Sequence, residues 1–427
     1  MPLFIIISTI ILIICSILYF PTIKIKNLTF SSYWPISIIG ALLLILTNSV
    51  SLDAIINAFT ANNSLNPLKI LVLFISMTIL SIFLDEVGFF SYIATKSAKL
   101  LNGSQTKLFI GFYILISFLT VFTSNDIIIL TFTPFICYFA KNSKINPIPY
   151  LVSEFVAANT WSMALIIGNP TNIYLASAFN INFIEYLSIM IFPTIAASVV
   201  SLSILYLLFK KQLKTKIDDS CILDTVKIDK VLLFIGLFHL ITTTVLIAIA
   251  SYVNIEMWLI TLAFCISLWI VTSSYLLIKK EKFTILTKTL KRAPYSLIPF
   301  VLSMFVIVLA LNEEGITTSI SNLFNEFSPI FSFGIGGAFI ANFINNIPMS
   351  VLFANMDFAT NASIYASIIA SNIAAYITPV GALAGIMWMS LLKTYNINFS
   401  FKKFALYGAA IGIPTLIVAL LTLSFVI

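Results

Sequence analysis

The chain alternates long apolar runs with short polar interruptions, and two of those interruptions fall where no loop is expected. Residues 122–127 (Phe-Thr-Ser-Asn-Asp-Ile) separate apolar runs at 108–121 and 128–140. Each run is shorter than the roughly 20 apolar residues that a bilayer crossing takes. Irregular backbone at membrane depth must be buried in protein or line a wet cavity, because lipid offers no hydrogen bonds. The pattern therefore predicts a re-entrant helical hairpin over residues 108–140 with its polar tip near mid-membrane. Residues 343–348 (Phe-Ile-Asn-Asn-Ile-Pro) predict a second hairpin over 331–355.

Uninterrupted spans are predicted at 3–20, 34–52, 67–84, 184–209, 231–250, 256–278, 294–311 and 404–427, with an interfacial stretch at 85–107 and an amphipathic piece at 316–327. Residues 150–180 and 363–394 are each long enough to cross. Both are broken in the middle, by Gly168-Asn-Pro-Thr-Asn172 and by Thr378-Pro-Val-Gly381, where glycine and proline interrupt helical hydrogen bonding. The order of three spans, a hairpin, a broken helix and a last span occurs twice. The expected fold is an all-α polytopic membrane protein with about 10–11 spans plus two hairpins. Its halves, 1–209 and 231–427, form an inverted repeat joined by a polar loop at 210–230. Paired interruptions at corresponding places in two halves point to a transporter site between them.

Composition narrows the class. Of 427 residues 60% are hydrophobic and 9% charged, with mean hydropathy +1.08, which excludes a soluble domain. Net charge is +7, but its distribution says more. If hairpins do not cross and each broken helix crosses once, 22 of the 23 basic residues fall on one face and only Lys69 on the other. The positive-inside rule makes the lysine-rich face cytoplasmic. Loops 85–107, 210–230 and 279–293 are then cytoplasmic, the N-terminus is outside, and the plasma membrane is the expected location. Residues 3–20 lack a basic leader and a small-residue cleavage site, so they read as a retained helix. Basic residues confined to short loops argue against nucleic acid as a partner. Cys15, Cys137, Cys221 and Cys265 are scattered, and with a single histidine no metal cluster or cofactor site is expected. There is no HExxH, GxSxG or phosphate-binding GxxxxGK[ST], so neither an enzyme nor an ATPase is indicated.

The candidate solute-binding residues are Ser124 and Asn125 at the first tip, Asn169, Thr171 and Asn172 at the first break, Asn345 and Asn346 at the second tip, and Thr378 at the second break. Asparagine both donates and accepts, and broken helices expose N-termini that attract oxygen-rich solutes. The bland alternative is that these groups only repair broken backbone. Asp126 stands apart as the one acid at a tip, paired by position with Asn346. An intramembrane carboxylate is costly and so is a functional candidate. It is a candidate for proton or cation coupling, and the alternatives are a fixed partner for a cation or a helix cap. Glu154 reads as a solvated acid near the membrane surface, and Asp85 and Glu86 as caps of the interfacial stretch. His239 reads as a helix–helix contact, and Asn159, Ser371 and Asn372 as cavity liners.

Several of these pieces resemble a known family. Phe83-Leu-Asp-Glu-Val-Gly-Phe-Phe90, Ser124-Asn-Asp126 followed by Leu130-Thr-Phe-Thr-Pro134, Ala293-Pro-Tyr295 followed by Leu302-Ser-Met304, Asn345-Asn-Ile-Pro348, and Ile377-Thr-Pro-Val-Gly381 followed by Trp388 are similar to the arsenical pump membrane proteins. These are arsenite–antimonite efflux permeases of the ion transporter superfamily. The resemblance implies export of arsenite or antimonite in exchange for protons. It also implies a solute held between tips and breaks, a homodimer and, in some members, a soluble ATPase partner. Gly168-Asn-Pro-Thr-Asn172 is shared more widely, with dicarboxylate and sodium–proton carriers. A sodium- or proton-coupled carrier of another anion, a sodium–proton antiporter, or a membrane subunit that docks a soluble partner through loop 210–230 are the alternatives.

Overall fold

The computed structural model describes residues 1–20, 22–25, 28–62, 66–100, 103–214, 227–250, 252–356 and 360–427. Twenty helices account for almost all of it. The first half runs α1 (Pro2–Tyr19), a two-stranded hairpin β1 (Thr22–Ile25) and β2 (Leu28–Ser31), α2 (Tyr33–Leu46), α3 (Leu52–Thr60), α4 (Pro67–Glu86), α5 (Phe89–Leu100), α6 (Gln105–Phe122), α7 (Asn125–Asn142), α8 (Ile148–Trp161), α9 (Pro170–Ala178) and α10 (Phe183–Phe209). The second runs α11 (Lys230–Ala250), α12 (Met257–Lys279), α13 (Thr284–Arg292), α14 (Leu297–Glu313), α15 (Ile316–Glu326), α16 (Pro329–Ile344), α17 (Asn346–Ala354), α18 (Asn361–Ile373), α19 (Leu383–Thr394) and α20 (Phe401–Val426). Most of the central loop, residues 215–226, lies outside the described residues and takes Cys221 and the proposed docking surface with it.

Seven described helices are long and apolar enough to cross a membrane, and α6 is one of them. Asn125, just past the tip, donates to Asn159 Oδ1 at 2.8 Å in the last turn of α8. The α6–α7 tip therefore meets the end of the helix that precedes the first break, and the α16–α17 tip meets the second break at Val380 and Gly381.

Packing obeys an exchange of halves. The pairs α1–α2, α2–α14, α6–α8, α7–α8 and α7–α19 recur as α11–α12, α12–α4, α16–α18, α17–α18 and α17–α9, while α10 and α20 pack on each other. An outer set (α1, α2, α4, α11, α12, α14) flanks a core of hairpins and broken helices. Lys69, alone on the lysine-poor face, is ion-paired with Glu256 at 2.7 Å, and its hydrogen bond holds that carboxyl below the usual range.

Four features differ from the sequence reading. The span expected at 34–52 ends at Leu46, and α3 is a separate amphipathic helix. The strand pair was not expected at all. Asp85 and Glu86 do not cap the interfacial stretch. They end α4, where the helix dipole disfavours acids, and Arg292 holds them there at 2.6 Å each. Pro170 opens α9, whereas Pro379 precedes the start of α19 by several residues, so the two prolines are not counterparts.

Both breaks depend on a glycine. A Cβ on Gly168 would lie 2.2 Å from the Ser162 carbonyl oxygen, and one on Gly381 would lie 2.2 Å from that of Ala374. In each half the chain leaving the break passes directly over the end of the helix it has just left. Gly168→Ala and Gly381→Ala are each expected to cost about 1–3 kcal/mol through overpacking. Gly236→Ala, which meets only movable leucine and phenylalanine side-chain atoms, should cost less. Thermal unfolding in detergent measures all three, and an equal loss at Gly236 would remove the special role of the breaks.

Candidate functional site

The polar residues at the tips and breaks are brought together in the core, and most of their hydrogen-bonding capacity is spent on backbone groups and on the neighbouring side chains of Asn159, Asn342, Ser371 and Asn372. Ser124, Asn169 and Asn345 cap α7, α9 and α17 by accepting from the N–H groups of Ile127, Thr171 and Ile347. Asn172 donates to the carbonyls of Ser162 (2.7 Å) and Leu165 (3.1 Å), freed by the break. Asn345 and Asn346 donate to the carbonyls of Val380 (3.0 Å) and Ser371 (3.2 Å). Thr171 and Ser371 share a hydrogen bond at 2.9 Å, and Thr378 donates to Asn342 at 2.7 Å.

Asn372 is the hub that ties the halves together, and it lies outside the predicted site set. Its Oδ1 accepts from Ser162 (2.7 Å) and Asn169 (3.0 Å), and its Nδ2 donates to Asn172 Oδ1 (2.7 Å) and the Ile368 carbonyl (2.9 Å). Two lone pairs and two protons are then all used, so Asn372 has nothing left for a solute. The Nδ2 group of Asn172 is likewise committed. Asn125, Asn169 and Asn345 each keep one amide proton beyond the bonds described. The sequence signal for Asn372 was an amide within an apolar helix.

Asp126 is the exception. Its carboxyl makes no hydrogen bond or ion pair with a described residue, and it faces a cavity of about 360 Å³. Helices α7 and α19 of the core form one wall, with Leu130, Leu383, Met387 and Ser390. Tyr33, Thr78, Ser296 and Leu297 form the other. Arg292 also lines the cavity, and Asp85 and Glu86 already neutralise it. Among the described lining residues there is no unpaired cation. Matching the caps Ser124 and Asn345 places Asn125 opposite Asn346 and Asp126 opposite Ile347. The expected pairing of Asp126 with Asn346 is thus off by one, and the acid has no polar counterpart.

Glu154 corrects a second expectation. It is not solvated but wholly buried between α7, α8 and α19, with the Thr133 hydroxyl 2.9 and 3.0 Å from its two oxygens and the Trp388 indole beside it. Thr133 lies seven residues after Asp126 on α7, and α7 reaches α8 there through a polar contact that lipid cannot replace. His239 is buried and bridges α11 to α12. Its Nδ1 donates to the Ile235 carbonyl (2.8 Å), so its Nε2 accepts from Ser267 (3.1 Å). Thr133→Val should destabilise the folded chain by about 1–3 kcal/mol by stripping a buried acceptor of its donor, and Glu154→Gln should cost less. Thermal unfolding in detergent checks the order, and a harmless Thr133→Val would show that the carboxyl does not depend on it.

Comparison with known proteins adds the context. Residues 10–367 match the family described as citrate transporters. An arsenical pump membrane protein of Yersinia enterocolitica is 28% identical over 380 residues, covering 82% of this chain and 85% of that one. A putative arsenical pump membrane protein of Bacillus subtilis is 25% identical over 406 residues, covering 86% and 88%. The crystal structure of the YdaH transporter of Alcanivorax borkumensis shares the fold, with TM-score 0.53 and 13% identity over 99% of this chain and 97% of that one.

Proposed function

The chain belongs to the citrate transporter family of multi-pass membrane carriers, and we propose that within it this protein exports arsenite or antimonite in exchange for protons. The observation that carries this reading is the open carboxylate of Asp126 in a cavity with no unpaired cation among its described lining residues. Trivalent arsenic in neutral water is an uncharged trihydroxide. Such a solute meets the hydroxyls of Tyr33, Thr78, Ser296 and Ser390 that line the cavity without electrostatic cost. A citrate trianion would face Asp126 and the surplus acid of the Asp85–Glu86–Arg292 cluster, a repulsion that low dielectric strengthens.

Asp126 carries the coupling proton in this reading. It can load and release from the cavity, and no fixed partner holds its charge. The core helices move against the outer set so that the cavity is reached from one face at a time. The lysine-rich face is cytoplasmic, as the positive-inside rule requires, and the membrane is the plasma membrane. A carrier of carboxylate anions is the second reading, favoured by the description of the matched family.

Everted vesicles from cells expressing the chain should take up radiolabelled arsenite when a proton gradient is imposed, without added ATP. Asp126→Asn should abolish that uptake, and excess citrate should leave it unchanged. Uptake that survives in Asp126→Asn moves the proton elsewhere. Citrate uptake without arsenite uptake selects the second reading, and a strict need for ATP and cytosol brings in a soluble ATPase.

A further inference from the structure

The open cavity has a pseudo-symmetric counterpart that is shut. Exchanging the halves by their helix caps carries Asp126, Leu130, Leu383 and Met387 onto Ile347, Val351, Pro170 and Tyr174. The first four line the cavity of about 360 Å³, and the second four line a space of about 20 Å³, room for a single water. Helices α4 and α14 supply the opposing wall in both places. The two spaces are the same construction in two degrees of closure.

The shut space lacks the uniform apolar lining of a permanent core. Tyr174 is 3% exposed, and its hydroxyl has no hydrogen-bond partner among the described residues. Thr171 and Ser350 line the same space. A buried hydroxyl without a partner is destabilising, and phenylalanine would fill the same volume without that cost. A group of this kind fits a surface that is shut for only part of a cycle. On the lysine-poor side a wide pocket of about 410 Å³, lined by Lys69, Asn180, Glu256 and Trp258, shares Ile70 with the shut space.

We propose that the shut space is the second access cavity, opening toward the lysine-poor face, and that Tyr174 is its solute-facing hydroxyl. This rests on the alternating-access reading above but not on the identity of the solute. Withdrawal of α9 and α17 from α4 and α14 joins the space to the wide pocket and frees the Tyr174 hydroxyl. The mirrored approach of α7 and α19 closes the cavity beside Asp126. Ile347 stands where Asp126 stands on the other side, so this wall adds a phenol to the pathway and no second carboxylate.

The test is reactivity toward a membrane-impermeant maleimide applied from either face, in a chain whose four native cysteines are replaced. Ser390→Cys, exposed in the open cavity, is the reference and should react from the lysine-rich face. Ser350→Cys, with Val351→Cys as an independent second reporter, should react from the lysine-poor face only and more slowly. Tyr174→Phe should slow both reporters about tenfold, because it relieves the closed state of an unpaired hydroxyl, and should not slow Ser390→Cys. Both reporters inert from the lysine-poor face, or unaffected by Tyr174→Phe, would overturn the proposal. Reporters that behave as expected in a chain that moves no arsenite would leave the second cavity standing and remove only the assigned solute.

Discussion

Everything in this molecule follows from one constraint: a backbone group at membrane depth must find its hydrogen bond within the protein. Two helices are broken and two hairpins turn at that depth, so many N–H and C=O groups lose their helical partners. The chain answers with short amides and hydroxyls. Asn172 takes the carbonyls of Ser162 and Leu165, Asn345 takes that of Val380, and Asn346 takes that of Ser371. Asn372 then locks both breaks to each other. The same residue types that suit a polar solute are first needed to let the fold exist.

That double duty explains what the sequence could and could not reveal. The hairpins and breaks were legible because each interrupts an apolar run of definite length, and Gly168 and Gly381 mark the crossings where no side chain fits. The candidate residues at tips and breaks do converge. Their division of labour was not legible, because an asparagine looks the same whether it repairs backbone or waits for solute. Only the bond inventory separates Asn372, fully committed, from Asn125, which keeps a proton. Glu154 was misread because its distance from the loop in sequence suggested solvent, whereas Thr133 and Trp388 arrive from other helices. The strand pair and α3 lie in short stretches whose patterns resemble span ends.

Charge is economical in the same sense. Of the acids on the cavity side, Asp85 and Glu86 share Arg292, and Glu154 is enclosed with hydrogen-bonding neighbours. Among the described lining residues, Asp126 is the acid that faces the cavity. A carboxylate fixed by an arginine would be a permanent charge, and one enclosed like Glu154 would not exchange protons quickly. The proposed coupling role falls to the acid that the structure leaves unpaired.

Symmetry supplies the scaffold for the two cavities, and sequence asymmetry gives them different chemistry. An inverted repeat with identical halves would place the same groups on both sides of the core. Here the exchange of halves sets Asp126 against Ile347 and Tyr174 against Met387. One side of the pathway therefore carries the titratable group and the other carries a hydroxyl. The two cavities thus share a construction and differ in the groups that line them. An exchange carrier needs its proton-binding group reached from both faces in turn, so the proposed coupling role requires the Asp126 carboxyl to stay beside the solute as the two cavities alternate.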